Sequence, residues 1–246
     1  MQAHEFQLKA GRPVRTDAPF VAQRLSEIQR RAQRAQESSA LAPGTPLRIV
    51  AVTKYLVAEE MGALRAAGLE IFGESRVQDA LPKVDALQGA AAPREWHFIG
   101  TLQGNKVKAV AGRFHLIHSV DRLEVAQRLS DAALEAGIRQ AVLVQVNISR
   151  EASKHGFTPE DLLEAWPHVM ALPGLRVRGL MGMAAAGAVA RPSFRALREL
   201  RNRLDGGRGE LPELSMGMSG DFEDAVAEGA TLVRIGTSLF SEEAET

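Results

Sequence analysis

Eight short apolar runs recur along this chain of 246 residues, and segments with helical spacing separate them. No other feature limits the fold as strongly. The runs lie at 48–53, 69–72, 97–99, 116–119, 141–147, 176–183, 213–216 and 231–235. Between them, amphipathic or alanine-rich stretches occupy 59–67, 77–87, 105–111, 121–136, 159–170, 192–204 and 221–228. Strands that alternate with helices pair in parallel, and eight such units suit closure into a (β/α)8 TIM-type barrel. A doubly wound open sheet is the alternative topology. Ahead of the first run, Pro19 is suited to a helix start, and Phe20, Val21, Leu25, Ile28 and Ala32 repeat at helical spacing through Arg34. The reading is therefore an α/β barrel of one domain over residues 19–246 with an extra N-terminal helix, preceded by a flexible arm over 1–18. A turn-rich segment from Leu41 to Pro46 leads into the first strand, and the small residues from Ala184 to Ala190 read as a surface loop.

Composition narrows the class of function. Thirty basic residues balance thirty acidic ones, so no global field recruits nucleic acid or an anionic membrane, and any anion must be held locally. The absence of cysteine removes disulfides, thiolate metal sites and a cysteine nucleophile. Met1 to Arg15 lacks the apolar core of a signal peptide, and no apolar run approaches the length of a membrane span. The cytoplasm is the expected compartment. The six histidines show no metal-ligand spacing with acidic neighbours, so no metal is expected.

Three features carry possible chemistry. Lys54 ends the run Ile49-Val50-Ala51-Val52-Thr53, at the carboxyl end of a buried strand, which is the functional face of a barrel. Partial desolvation there would lower its amine pKa and let it condense with a carbonyl, although a lysine leaving a strand is more often simply exposed. The second feature is the pair of segments Leu214 to Asp221 and Val233 to Ser238, which follow strands seven and eight, where many barrels seat a phosphate. Gly236 permits close backbone approach, Ser219 and Thr237 offer hydroxyls, and Asp221 reads as the cap or first turn of a helix. Each segment alone is equally readable as ordinary turns and caps. Third, Arg234 lies within an apolar strand, so its guanidinium needs either a structural partner such as Asp221 or Glu223 or a ligand. Weaker candidates for the pocket wall are the stretch Gly73 to Arg76, His97 to Gly100, and Lys154-His155-Gly156. Gln103, Asn105 and Lys106 read as a solvated helix start.

With these blocks in order, the chain resembles the pyridoxal phosphate homeostasis proteins, single-domain relatives of the alanine racemase barrel. The blocks are AVTK at 51–54, FGESRVQD at 72–79, WHFIGTLQGNK at 96–106, IHSVDR at 117–122, VNISREASKHGF at 146–157, GLMGM at 179–183 and LSMGMSGDFEDAVAEGATLVRIGTSLF at 214–240. The resemblance implies that the cofactor is pyridoxal 5′-phosphate (PLP), held as a Schiff base on Lys54. It also implies that Ser219, Gly236 and Thr237 hold the phosphate and that Arg234 faces the pyridine nitrogen. An arginine donates to that nitrogen without surrendering its proton, which leaves the ring a poor electron sink. Ser75 stands where the family usually has asparagine, which shortens a side chain expected near the cofactor, and Ser241 follows Phe240 where the family commonly has glycine.

The resemblance favours a carrier that stores or delivers PLP, without dedicated turnover, over an amino-acid racemase with Lys54 as a catalytic base. Two-face racemisation needs a second acid/base group. The only tyrosine, Tyr55, is expected to point away from the pocket by strand alternation. A PLP-free Schiff-base lyase is the third option. PLP-dependent apoenzymes are the candidate recipients, and a monomer is the expected state.

Overall fold

Every one of the eight runs forms a strand: β1 (Arg48–Val52), β2 (Ile71–Glu74), β3 (Glu95–Phe98), β4 (Leu116–Val120), β5 (Gln140–Val146), β6 (Leu175–Gly182), β7 (Glu213–Met218) and β8 (Leu232–Ile235). The structure, a computed structural model, describes residues 6–7, 13–39, 46–185, 187 and 189–241. The strands pair in parallel in sequence order, and β8 closes the ring between β7 and β1. The open-sheet alternative is thereby excluded.

The helices are α1 (Ala18–Glu37), α2 (Ala58–Ala66), α3 (Val77–Ala86), α4 (Val107–Val110), α5 (Leu123–Glu135), α6 (Pro159–Met170), α7 (Arg191–Asp205), α8 (Phe222–Ala227) and α9 (Thr237–Phe240). A short 3-10 turn, Gly104–Lys106, takes the first part of the helix expected at 105–111. Asp17 caps α1 by accepting from Phe20 N at 3.2 Å, and Val21, Leu25, Ile28 and Ala32 form its buried stripe. The extra helix lies against α8, to which Arg31 is joined through Glu223 at 2.8 Å.

Two boundaries differ from the sequence reading for physical reasons. β2 starts at Ile71 because Gly68, with φ of 93°, ends α2 and Leu69 N donates to Leu64 O at 3.0 Å. Leu69 is buried as a helix-end residue, not as a strand residue. At the other end, β2 runs on to Glu74, a carboxylate the apolar pattern had stopped short of. Lys83 on α3 makes that burial possible by donating to Glu74 Oε1 at 2.8 Å.

Part of the expected N-terminal arm is joined to the barrel. Phe6–Gln7 pairs antiparallel with Pro13–Val14, Val14 bridges to Ser241, and Arg15 N donates to Phe240 O at 2.8 Å. The rest of the arm, at 1–5 and 8–12, and most of the turn segment, at 41–45, lie outside the described residues, as do 186 and 188 in the small-residue loop. Among the described residues, no helix is long and apolar enough to cross a membrane, and no group of three or more histidine or acidic side chains could hold a metal.

Candidate functional site at the carboxyl end of the barrel

The barrel brings the residues singled out in the sequence to one arc of its carboxyl end. Ile235 pairs with Ala51 across β8 and β1, and Val52 pairs with Gly73 across β1 and β2. Gly236 therefore lies beside Val52, Lys54 emerges two residues later, and Ser75 leaves the adjacent strand. A Cβ on Gly236 would press to 3.3 Å on Val52 Cβ, so a side chain there would have to displace Val52 by a few tenths of an ångström. Ser219, in the loop after β7, accepts from Ser238 N at 3.3 Å and ties that loop to the start of α9. Asp221 sits at the N-cap of α8, but its Oδ1 turns back to accept from Met218 N at 2.6 Å. It shapes the turn that presents Ser219 instead of capping the helix.

Lys54 takes the commoner of the two surroundings read for it. It is exposed, not desolvated, because the chain leaves β1 at Val52 and turns, with Leu56 N donating to Thr53 O at 2.9 Å. Tyr55 departs from the alternation argument, which holds only within a strand. Its ring centroid lies 4.9 Å from Lys54 Nζ, a cation–π contact on the lysine itself.

Arg234 projects into the barrel interior at 5% exposure. Neither carboxylate suggested as its partner bonds it, since Glu223 pairs with Arg31 and Asp221 with Met218 N. Arg234 Nη1 donates to Ser215 Oγ at 2.7 Å and Nη2 to Gly182 O at 3.2 Å, both neutral acceptors. Burial pushes its pKa down to about 10, against the pull of the Asp221 charge, so the group is cationic at neutral pH. Among the described residues no ion pair neutralises it. A buried guanidinium so placed is an unsaturated donor at the floor of the arc.

Some candidates do structural work. Lys154 Nζ donates to Ala184 O at 2.6 Å and to Glu151, and His155 stands 3.8 Å from Asp121, so this loop ties together the ends of β4, β5 and β6. Gln103, Asn105 and Lys106 are exposed, as read. His97 is fully buried in the barrel core.

Sequence reasoning overlooked Glu95, His118 and Ser215, which line the interior with His97 and Arg234, and the Glu74–Lys83 pair. A signal was present for Glu95 and Ser215: polar residues recur at alternate positions of β3 and β7, and alternate strand residues share a face. Gly100, one of the weaker candidates for the pocket wall, has a packing role. A Cβ there would lie 2.0 Å from Ser75 O, so Gly100 sets how closely the end of β3 packs on Ser75. Gly100→Ala should lower stability by about 3 kcal/mol, the upper part of the overpacking range, and weaken ligand retention at the arc. Chemical denaturation checks this, and an unchanged midpoint would refute it.

The family described as the N-terminal domain of alanine racemase matches residues 24–243. A pyridoxal phosphate homeostasis protein from Aquifex aeolicus is 42% identical over 224 residues, covering 89% of this chain and 97% of that relative. One from Pseudomonas aeruginosa is 44% identical over 224 residues, covering 89% of this chain and 94% of the relative. The chain belongs to the pyridoxal phosphate homeostasis protein family. Within that family, the structure of PipY from Synechococcus elongatus PCC7942 with PLP bound is similar at a TM-score of 0.76 and 34% identity, covering 90% of this chain and all 100% of PipY. The sequence resemblance and the barrel fold are both borne out by these matches.

Proposed function

We propose that this protein holds PLP reversibly in the cytoplasm, as a store or donor of the cofactor to PLP-dependent apoenzymes, without dedicated turnover and as a monomer. The observation that carries the reading is Arg234, a buried cation whose acceptors among the described residues are neutral, lying beneath the arc of Lys54, Ser75, Ser219, Gly236 and Thr237. PLP presents an aldehyde, a dianionic phosphate and a ring nitrogen that accepts. The residues fit all three. Lys54 offers an exposed amine for the aldehyde. Half-buried Ser219, Gly236 and Thr237 offer hydroxyls and backbone. Arg234 supplies a donor to the ring nitrogen, and Ser75 borders the site from β2.

When bound, the cofactor supplies an electrophilic carbon and an electron-withdrawing ring. The protein's own groups do little to exploit them. Arg234 keeps its proton at neutral pH, so it orients the ring without handing it a charge. Tyr55 packs on Lys54 itself, and a group touching one base does not stand across a substrate carbon from it.

The test has two arms. The purified protein should carry one PLP by mass spectrometry and show its lysine-bound visible absorbance; a colourless, PLP-free protein that also refuses added PLP refutes the reading. Loss of the α-deuteron from alanine should be slow, and turnover at about 1 per second or faster would make the protein an enzyme instead.

A further inference from the structure

Branched apolar side chains ordinarily fill the inside of an eight-stranded barrel. Here a continuous file of polar groups crosses it. Glu95 Oε2 lies 2.9 Å from His97 Nε2, and His97 Nδ1 lies 3.0 Å from His118 Nε2. His118 Nδ1 lies 2.8 Å from Ser215 Oγ, which accepts from Arg234 Nη1 at 2.7 Å. His97, His118 and Ser215 are fully buried. β4 and β7 are not neighbours in the barrel, so the link from His118 to Ser215 spans its interior. Glu95, the outer end, is part-exposed and lies 3.5 Å from Arg48, which also pairs with Glu213 at 2.6 Å.

Counting protons gives the file a direction. A guanidinium only donates, so Ser215 accepts from Arg234 and has one hydrogen left to give. His118 Nδ1 is the acceptor beside it, which puts the His118 proton on Nε2. That proton points at His97 Nδ1, so His97 in turn carries its own proton on Nε2 and donates to the Glu95 carboxylate. The reverse direction would set a carboxylate against an unprotonated ring nitrogen at 2.9 Å, two acceptors without a hydrogen between them. A doubly protonated ring would add a cation to a desolvated interior that already holds Arg234. The groups facing His97 are Glu95, Arg48, His115 and His118, and those facing His118 are His97, Arg234 and Arg48. Burial pushes both imidazoles below the ordinary histidine range, His118 furthest, and the hydrogen bond from His97 holds the Glu95 carboxyl below its usual range.

We propose that Glu95, His97, His118 and Ser215 are positioning residues: a one-way hydrogen-bond chain, anchored by a carboxylate at the amino end of the barrel, that fixes the Arg234 guanidinium at the floor of the cofactor site. The inference rests on the reading that Arg234 meets the cofactor ring. The chain explains why a cation with no ion pair among the described residues is stable there. Each link hands on a hydrogen toward Glu95, so the carboxylate polarises every bond back to Arg234. A merely structural cluster would not need a single direction.

Nitrogen-15 NMR of histidine- and arginine-labelled protein without ligand tests the chain apart from the cofactor. Expected are two neutral rings protonated on Nε2 that do not titrate between about pH 5 and 8, where an ordinary histidine changes charge. The Arg234 Nη protons should appear as separate, slowly exchanging resonances. Glu95→Gln keeps an acceptor in place and should preserve all these signals. Glu95→Ala strips the acceptor from the His97 Nε2 proton and should shift that resonance and speed the exchange of its proton, and Ser215→Ala should average the Arg234 resonances. A ring that is protonated at neutral pH or carries its proton on Nδ1 overturns the proposal, as do Arg234 resonances indifferent to both Glu95→Ala and Ser215→Ala. The underlying reading fails separately. If the ring does not meet Arg234, then Arg234→Gln leaves the absorbance of bound PLP unchanged while the NMR results on the wild-type chain stand.

Discussion

Lys54→Ala is expected to abolish the visible absorbance of lysine-bound PLP completely, along with any covalent mass increment after borohydride reduction. The loss should be total because the bond needs an unprotonated primary amine at this place, and alanine offers none. Stability, in contrast, should stay within about 0.5 kcal/mol of the wild type, since Lys54 is exposed on a turn and its recorded contact is with the Tyr55 ring. That split separates loss of the attachment point from loss of the fold. PLP should still associate weakly and dialysably through Ser219, Gly236, Thr237 and Arg234. A visible band that survives Lys54→Ala would place the attachment on another lysine. A band lost together with the thermal transition would mean that the substitution unfolded the chain and that Lys54 has a structural role its exposure does not suggest.

How far such a site can be read from sequence depends on whether its residues act through chain-local or cross-barrel contacts. The eight strands were legible because each is an apolar run, with a helix between it and the next, and parallel strands buried on both faces carry that pattern. Lys54 and Arg234 stood out for a related reason, as charges interrupting or ending apolar runs. The positions of Ser219, Gly236 and Thr237 followed from strand counting, which the observed ring upholds. The environments were not legible. Whether Lys54 is desolvated depends on where β1 ends, and the turn through Tyr55 removes it from the strand by two residues. The neutral acceptors of Arg234 come from β6 and β7, encoded 52 and 19 residues away. His118 read as one more strand residue because its partners, His97 and Ser215, lie on other strands.

The Glu74 pair shows the same limit with a larger energetic consequence, and Lys83→Met is expected to destabilise the fold by about 3–5 kcal/mol at neutral pH. Glu74 is 0% exposed; its Oε1 accepts from Lys83 Nζ at 2.8 Å and from Thr53 Oγ1 at 2.6 Å, while Oε2 is buried with no partner among the described residues. Burial raises the Glu74 pKa, and Lys83 and Thr53 only partly oppose it. A carboxyl whose pKa is raised by folding contributes most below its unfolded pKa, and that contribution is lost as pH climbs through the folded value. Removing Lys83 raises the folded value further. The deficit of Lys83→Met should accordingly be greatest near neutrality and shrink on acidification toward the ordinary glutamate range. Denaturant titrations at both ends of that window measure it, and Glu74→Gln combined with Lys83→Met should recover most of the loss by removing the stranded charge. A deficit that does not vary with pH would show that lost packing, not the charge, governs the pair. The effect should also reach the site. Lys83 Nζ donates to Thr53 O at 2.9 Å, so the same cation that neutralises Glu74 holds the residue immediately before Lys54. Lys83→Met should therefore weaken PLP retention even under acidic conditions where the fold has recovered, because protonating Glu74 does not restore the bond to Thr53.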